Sequence, residues 1–155
     1  MPRTYRVLVT GSRRYRDKAR LERALWSLFT EHVTNGPYDA MVIVHGDCET
    51  GADRLAKAFA LRAKAAGQPI DHEPHEAKWK ECRPGCPPGH RKIHPIRGDH
   101  CPLAGFNRNA DMVALGADKC VPFYRKGAEN KGTAHCARLA KCAGIDTVPA
   151  HVLAA

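Results

Sequence analysis

Two short, largely apolar runs, Tyr5–Thr10 (YRVLVT) and the fully apolar Ala40–Val44 (AMVIV), limit what this chain can become. A strand with one wet face alternates apolar and polar residues; these runs do not, so both faces must be covered. That is the pattern of a parallel sheet with helices on either side. Between the runs, Leu21, Ala24, Leu25, Leu28 and Phe29 recur at helical spacing from Asp17, and Asn35-Gly36-Pro37 stops the helix. Ala52–Ala66 predicts a second helix carrying Leu55, Ala58, Phe59 and Leu61, with Gly67 past its end.

A weaker third strand is predicted over Pro69–His72, after which regular pattern lapses until about Ala104. Met112, Val113 and Leu115 then mark a helix closed by Gly116. A strand follows at Lys119–Tyr124, then a polar loop Arg125–Lys131, a helix over Thr133–Ala143, and a fifth strand near Thr147 and Val148. The alternation predicts an α/β fold: one Rossmann-like three-layer sandwich over residues 1–155, with a central parallel sheet of about five strands and a loop insertion at about 80–103. A chain of 155 residues with 43% hydrophobic and 26% charged residues suits a single core.

No run approaches the ~18 apolar residues of a bilayer span, and the N-terminus enters a strand directly where an export signal would carry its apolar core. The expectation is a cytoplasmic protein without a membrane partner. A net charge of +9 favours anionic partners, but the basic residues are dispersed with no block of five or more. Seven cysteines, an odd number in a chain without an export signal, favour reduced thiols and metal ligation over a disulfide framework.

In an open parallel sheet, ligands bind beyond the carboxyl ends of the strands. The loops there carry Gly11, Ser12 and Arg13 after the first strand, Gly46, Gly51 and Asp53 after the second, and Gly132 and Thr133 after the fourth. Each pairs glycine, which lets a ligand approach the backbone, with a helix start whose free N–H groups suit phosphate. Arg13 and Arg108 are the side chains expected to pair with phosphate oxygens. Asp53 either holds a ribose hydroxyl or serves the helix dipole, the second being the commoner role for such a carboxylate.

The stretch Cys82–Cys101, CRPGCPPGHRKIHPIRGDHC, places three cysteines and three histidines in twenty positions. Cys82, Cys86, His90 and Cys101 supply four ligands of the type zinc takes, with His94 or His100 as alternatives to His90 and unligated surface thiols as the competing reading. With all four positions filled by protein, a structural zinc is expected. The insertion would then fix the start of the helix that carries Arg108 and Asn109. Trp79 reads either as a wall of the ligand pocket or as a core anchor for the loop. Cys48, Cys120, Cys136 and Cys142 lack clustered spacing, and Cys120 and Cys142 read as small buried residues.

The order VTGSRRY, HGDCETGADRLA, AGFNRNADM, GADKCVPFY, KGTAHC and AGI resembles the YspA-like, cpYpsA-related branch of the SLOG superfamily over about Arg6 to Val148. The resemblance implies a Rossmann-like fold related to the Lonely Guy phosphoribohydrolases and to the DNA-processing protein DprA. It also implies an actinobacterial or actinophage source and, if phage-encoded, the host cytoplasm. The pocket it implies takes a nucleotide or nucleotide-derived ligand between Gly11, Ser12, Arg13, Gly46, Gly51, Asp53, Arg108, Asn109, Gly132 and Thr133.

Lonely Guy enzymes carry Gly-Thr-x-x-Glu; here Gly132-Thr133-Ala134-His135-Cys136 puts a thiol at the glutamate position, and a thiol does not replace that carboxylate. The expected function is binding of a nucleoside phosphate, an ADP-ribose-like or an NAD-derived molecule, as sensor, sequestering protein or processing enzyme. Asp47, Glu49 and His135 are the remaining acid-base candidates, with capping and surface roles as the alternative. A phosphoribohydrolase and a DprA-like nucleic-acid binder are the competing functions, the latter disfavoured by the lack of an interleaved aromatic and basic platform. The resemblance allows a homodimer, though no residue locates an interface.

Overall fold

The computed structural model describes residues 2–154. The chain runs β1 (Thr4–Gly11), α1 (Lys18–Phe29), β2 (Ala40–His45), α2 (Gly51–Ala65), β3 (Ile70–Pro74), β4 (Lys92–His94), β5 (Gly98–His100), α3 (Ala104–Ala114), β6 (Lys119–Phe123), α4 (Lys131–Cys142), β7 (Asp146–Thr147) and α5 (Ala150–Leu153). Five strands form one sheet in the order β3-β2-β1-β6-β7, every pair parallel, and β4 and β5 form a separate antiparallel hairpin.

The period of two in β1 divides the core. Val7 and Val9 face one apolar layer, shared with Leu21, Leu25 and Leu28 of α1 and Ala56, Phe59 and Ala60 of α2. Leu8 faces the other, with Met112 and Val113 of α3 and Cys136 and Ala140 of α4. The sheet therefore sits between α1, α2 and α5 on one face and α3 and α4 on the other, the three layers predicted by the largely apolar strands. No helix among the described residues is long and apolar enough to cross a membrane.

Local chemistry sets the helix ends. Asp17 caps α1 by accepting the Arg20 N–H at 3.0 Å. The helix ends in a wider π turn over Thr30–Thr34, closed by Asn35 N–H on Thr30 O at 2.9 Å, ahead of Gly36-Pro37. The third strand starts one residue later than predicted and reaches Pro74, because it follows the register of β2 up to His45. Both the hairpin and α5 fall where the sequence shows no period. Three-residue strands and a four-residue helix are too short to leave one. Cys142, expected to be buried, is exposed on the last turn of α4, while Cys120 is buried as expected.

His45, at the carboxyl end of β2, has no exposed surface. Its Nδ1 accepts the Asp47 backbone N–H at 3.0 Å, which leaves the proton of the neutral ring on Nε2, donated to His72 Nδ1 at 3.0 Å. Burial, reinforced by repulsion from His72, pushes the His45 pKa down to about 4. The unfolded chain, with its histidine near the ordinary value, therefore takes up the proton first as pH falls. This contribution to stability is intact above pH 6.5 and is lost between about 6.5 and 4. Denaturant titrations should lose on the order of 2 kcal/mol across that window, and His45→Gln should flatten the difference. An identical slope in the variant would contradict the assignment.

Candidate functional site

β1 is the strand at which the chain changes direction. Its connection to β2 passes over one face of the sheet, whereas its other neighbour β6 is reached over the opposite face. Beyond the carboxyl ends of these two strands the flanking loops part, leaving a cleft of ≈ 460 Å³, within the range of small-molecule sites.

Of the ten residues the sequence nominates, the structure brings Gly11, Ser12, Arg13, Gly46, Asp53, Arg108, Asn109, Gly132 and Thr133 to the lining of this one cleft. Gly51 stands apart from it. With φ at +77°, it lies so close to the first loop that a Cβ would fall 2.2 Å from Ser12 O. Next to it, Ala52 N–H donates to Ser12 O at 3.2 Å, so the start of α2 braces the Ser12-Arg13 loop.

Arg108, in the second turn of α3, spans the cleft floor. Its Nη1 donates to Gly46 O at 2.6 Å and His75 O at 3.3 Å, and its Nε to Asn109 Oδ1 at 3.0 Å. A Cβ on residue 46 would lie 2.3 Å from that Nη1, so Gly46 is what lets the guanidinium seat. Asp53 Oδ2 accepts the Cys48 N–H at 3.3 Å, and burial pushes its carboxyl pKa up while Arg108 pulls against the shift. Buried Asn109 turns its Nδ2 toward Gly132 O and His135 Nδ1, each at 3.4 Å, and so links α3 to the start of α4.

At that start, Lys131, Gly132 and Thr133 occupy the first helical turn, where backbone N–H groups have no carbonyl within the helix to bind. Asn130 holds the loop before it. In the left-handed conformation (φ +53°), its Oδ1 accepts the Arg125 N–H at 2.8 Å and its Nδ2 donates to Arg125 O at 2.9 Å and Ala128 O at 2.8 Å. Asn130 escaped the sequence reading, although asparagine is, after glycine, among the residues that most readily take the left-handed conformation. The aromatic lining, Trp79 and Phe106, comes from outside the glycine loops. Cys136 lies wholly buried in the layer between sheet and helices, beside Cys120, whose thiol pKa is driven up by that neighbour and by burial. Asp47 is paired with Lys57 at 3.2 Å.

The second centre lies in the crossover between β3 and α3. Cys82, Cys86, His90 and Cys101 bring their ligand atoms within 4.8 Å of one another. Cys86 Sγ is 3.7 Å from Cys101 Sγ, and His90 Nε2 is 3.3 Å from Cys82 Sγ and 3.2 Å from Cys101 Sγ. These are close to the edges of a tetrahedron around one metal ion with ~2.0–2.3 Å bonds. His90 Nδ1 faces Pro87 O at 2.7 Å, which turns Nε2 to the cluster. Arg91 Nη1 donates to Cys82 Sγ at 2.9 Å and the Arg83 N–H to Cys86 Sγ at 3.4 Å, donors that suit thiolates. His94 and His100 sit elsewhere on the hairpin. His94 Nδ1 accepts the N–H groups of Ile96 and Arg97, and His100 Nδ1 faces Gly98 O.

The sequence model of the YspA, cpYpsA-related SLOG family matches residues 5–81. The Gene 61 protein of Mycobacterium phage D29 is 32% identical over 143 residues, covering 92% of this chain and 94% of that protein. No solved structure matches the chain.

A Cys₃His cluster of this geometry, in a segment with so small a core, should make the fold depend on a metal held there. Elemental analysis of purified protein should give about one metal ion per chain, and a strong chelator or His90→Ala should lower the melting temperature by several degrees. Metal-free protein of unchanged melting temperature would contradict the assignment.

Proposed function

We propose that this chain, which belongs to the YspA, cpYpsA-related SLOG family, holds a nucleoside phosphate or a related nucleotide-derived molecule in the cleft beyond β1 and β6. One observation carries the reading. The first turn of α4, the Ser12-Arg13 loop and two aromatic side chains converge on a single cleft at the switch point of the sheet. Helix-start N–H groups and a guanidinium suit a phosphate, and an aromatic wall suits a base.

Binding is favoured over cleavage by the fate of the acidic groups. Asp53 lines the cleft but is only 6% exposed, its Oδ2 accepting the Cys48 N–H, and Glu129 sits exposed on the rim, 3.3 Å from Lys131. The thiol in the position of the Lonely Guy glutamate is Cys136, beneath the cleft in the apolar layer. A general acid for glycosidic cleavage would need a carboxyl facing the sugar. The protein therefore acts as a sensor or a sequestering protein.

For the second centre we assign zinc. Three sulfurs and one imidazole nitrogen form a soft, closed, four-ligand set with no position left for water, which is the structural type of site.

Titration calorimetry with nucleoside monophosphates and NAD should detect binding, and chromatography of the mixtures should recover them intact. Arg13→Ala should weaken binding at least tenfold with little change in melting temperature, since Arg13 is exposed. Free base among the products would establish a hydrolase instead, and equal affinity in the variant would remove Arg13 from the site. Tight DNA binding that survives moderate salt would favour the nucleic-acid reading.

A further inference from the structure

One wall of the cleft does not come from the three-layer framework. Trp79 lines it from the crossover segment, and several of the groups around it come from the stretch Cys82–Cys101. Trp79 O accepts the Cys101 N–H at 2.7 Å, and Cys101 is the wholly buried member of the Cys₃His set. The hairpin joining His90 to Cys101 supplies Arg97, whose Cζ lies 4.1 Å from the indole centroid, and His100, edge-on at 5.9 Å. The indole packs with Cys86 against the small cluster of Ala77, Cys101 and Ala104. Gly105 of α3 also faces the ring, where a Cβ would come to 3.4 Å of Cη2.

Charge points the same way. Arg13 approaches the indole from the first loop, its Cζ 5.3 Å from the centroid. Among the described residues neither Arg13 nor Arg97 has a carboxylate within salt-bridge distance, although twelve such pairs occur elsewhere. Burial and the neighbouring Arg13 together push the Arg97 pKa down. Two guanidiniums without a carboxylate partner beside one indole ring make a surface that favours a planar group carried next to an anion.

We propose that Trp79 is the stacking platform for the planar base of the bound nucleotide, and that metal at Cys82, Cys86, His90 and Cys101 holds the platform in place. Base recognition and metal occupancy are then coupled. The inference rests on the cleft reading above and adds to it the group recognised and the device that positions it. By linkage, whatever factor the metal contributes to nucleotide affinity, the nucleotide returns to metal affinity. Stacking on an aromatic side chain discriminates a base-bearing phosphate from a baseless one by roughly 5- to 100-fold, whichever base it is.

The test compares AMP with ribose 5-phosphate by calorimetry. Metal-loaded protein is measured alongside Trp79→Ala, Trp79→Phe and metal-stripped wild type, with melting temperatures recorded for each. Trp79→Ala should weaken AMP roughly 5- to 100-fold and ribose 5-phosphate less than twofold, while Trp79→Phe stays close to wild type. Stripping the metal should weaken AMP selectively in the same way, and saturating AMP should slow transfer of the metal to a chelating dye. With Trp26→Phe leaving Trp79 as the only indole, AMP should change the remaining emission and ribose 5-phosphate should not. Equal losses for both ligands in Trp79→Ala, or AMP affinity that survives metal removal, would overturn this inference while leaving the phosphate site standing. If neither ligand binds the metal-loaded protein, the cleft reading fails and this inference with it.

Discussion

Burial of β1 on both faces is the constraint on which the rest depends. Because Val7 and Val9 need one helical layer and Leu8 another, the chain must place helices on both sides of the strand. It does so by sending α1 and α2 over one face and α3 and α4 over the other. The reversal happens at β1, and so the loops after β1 and β6 splay apart there. The cleft is thus a consequence of how the sheet is covered, and its phosphate-suited edge follows from where the helices begin.

Reaching β6 from β3 means crossing the top of the sheet. The crossover, residues 75–103, has little apolar material to fold with: its buried cluster is Ala77 and Cys101 against Ala104 at the start of α3, and Ile93 and Ile96 on the hairpin are almost fully exposed. Four convergent side chains that could hold a metal would offer it what a hydrophobic core gives the rest of the chain, a reason to adopt one conformation. Its last ligand, Cys101, accepts the Ala104 N–H at the start of α3, and four residues on Arg108 ties α3 to Gly46 O and His75 O. The Cys₃His cluster, helix and cleft floor form one connected path.

The layers were legible because apolar runs and helical spacing report burial directly, and the strands and long helices fall within a few residues of the patterns. The Cys/His cluster was legible because cysteines and histidines that could hold a metal announce themselves by type and spacing. The choice of His90 over His94 and His100 was not, since it depends on a hairpin whose strands are too short to show a period. The cleft loops were readable from glycine at strand ends, yet glycine alone does not reveal why it is there. Gly46 makes room for Arg108, whereas Gly51 makes room for the backbone of Ser12 and Arg13 and faces away from the cleft. Contacts between distant segments, such as Asn109 with Gly132 or Trp79 with Arg97, leave no local trace in a sequence.

Amide and indole chemical shifts of isotope-labelled, metal-loaded protein, followed while nucleoside monophosphates and NAD are titrated in, test the central claim most directly. The account predicts saturable shifts at Ser12, Arg13, Gly132 and Thr133 and at the Trp79 indole N–H, with the far ends of the strands unmoved. Shifts confined to the exposed hairpin, or none with any of these ligands, would contradict it.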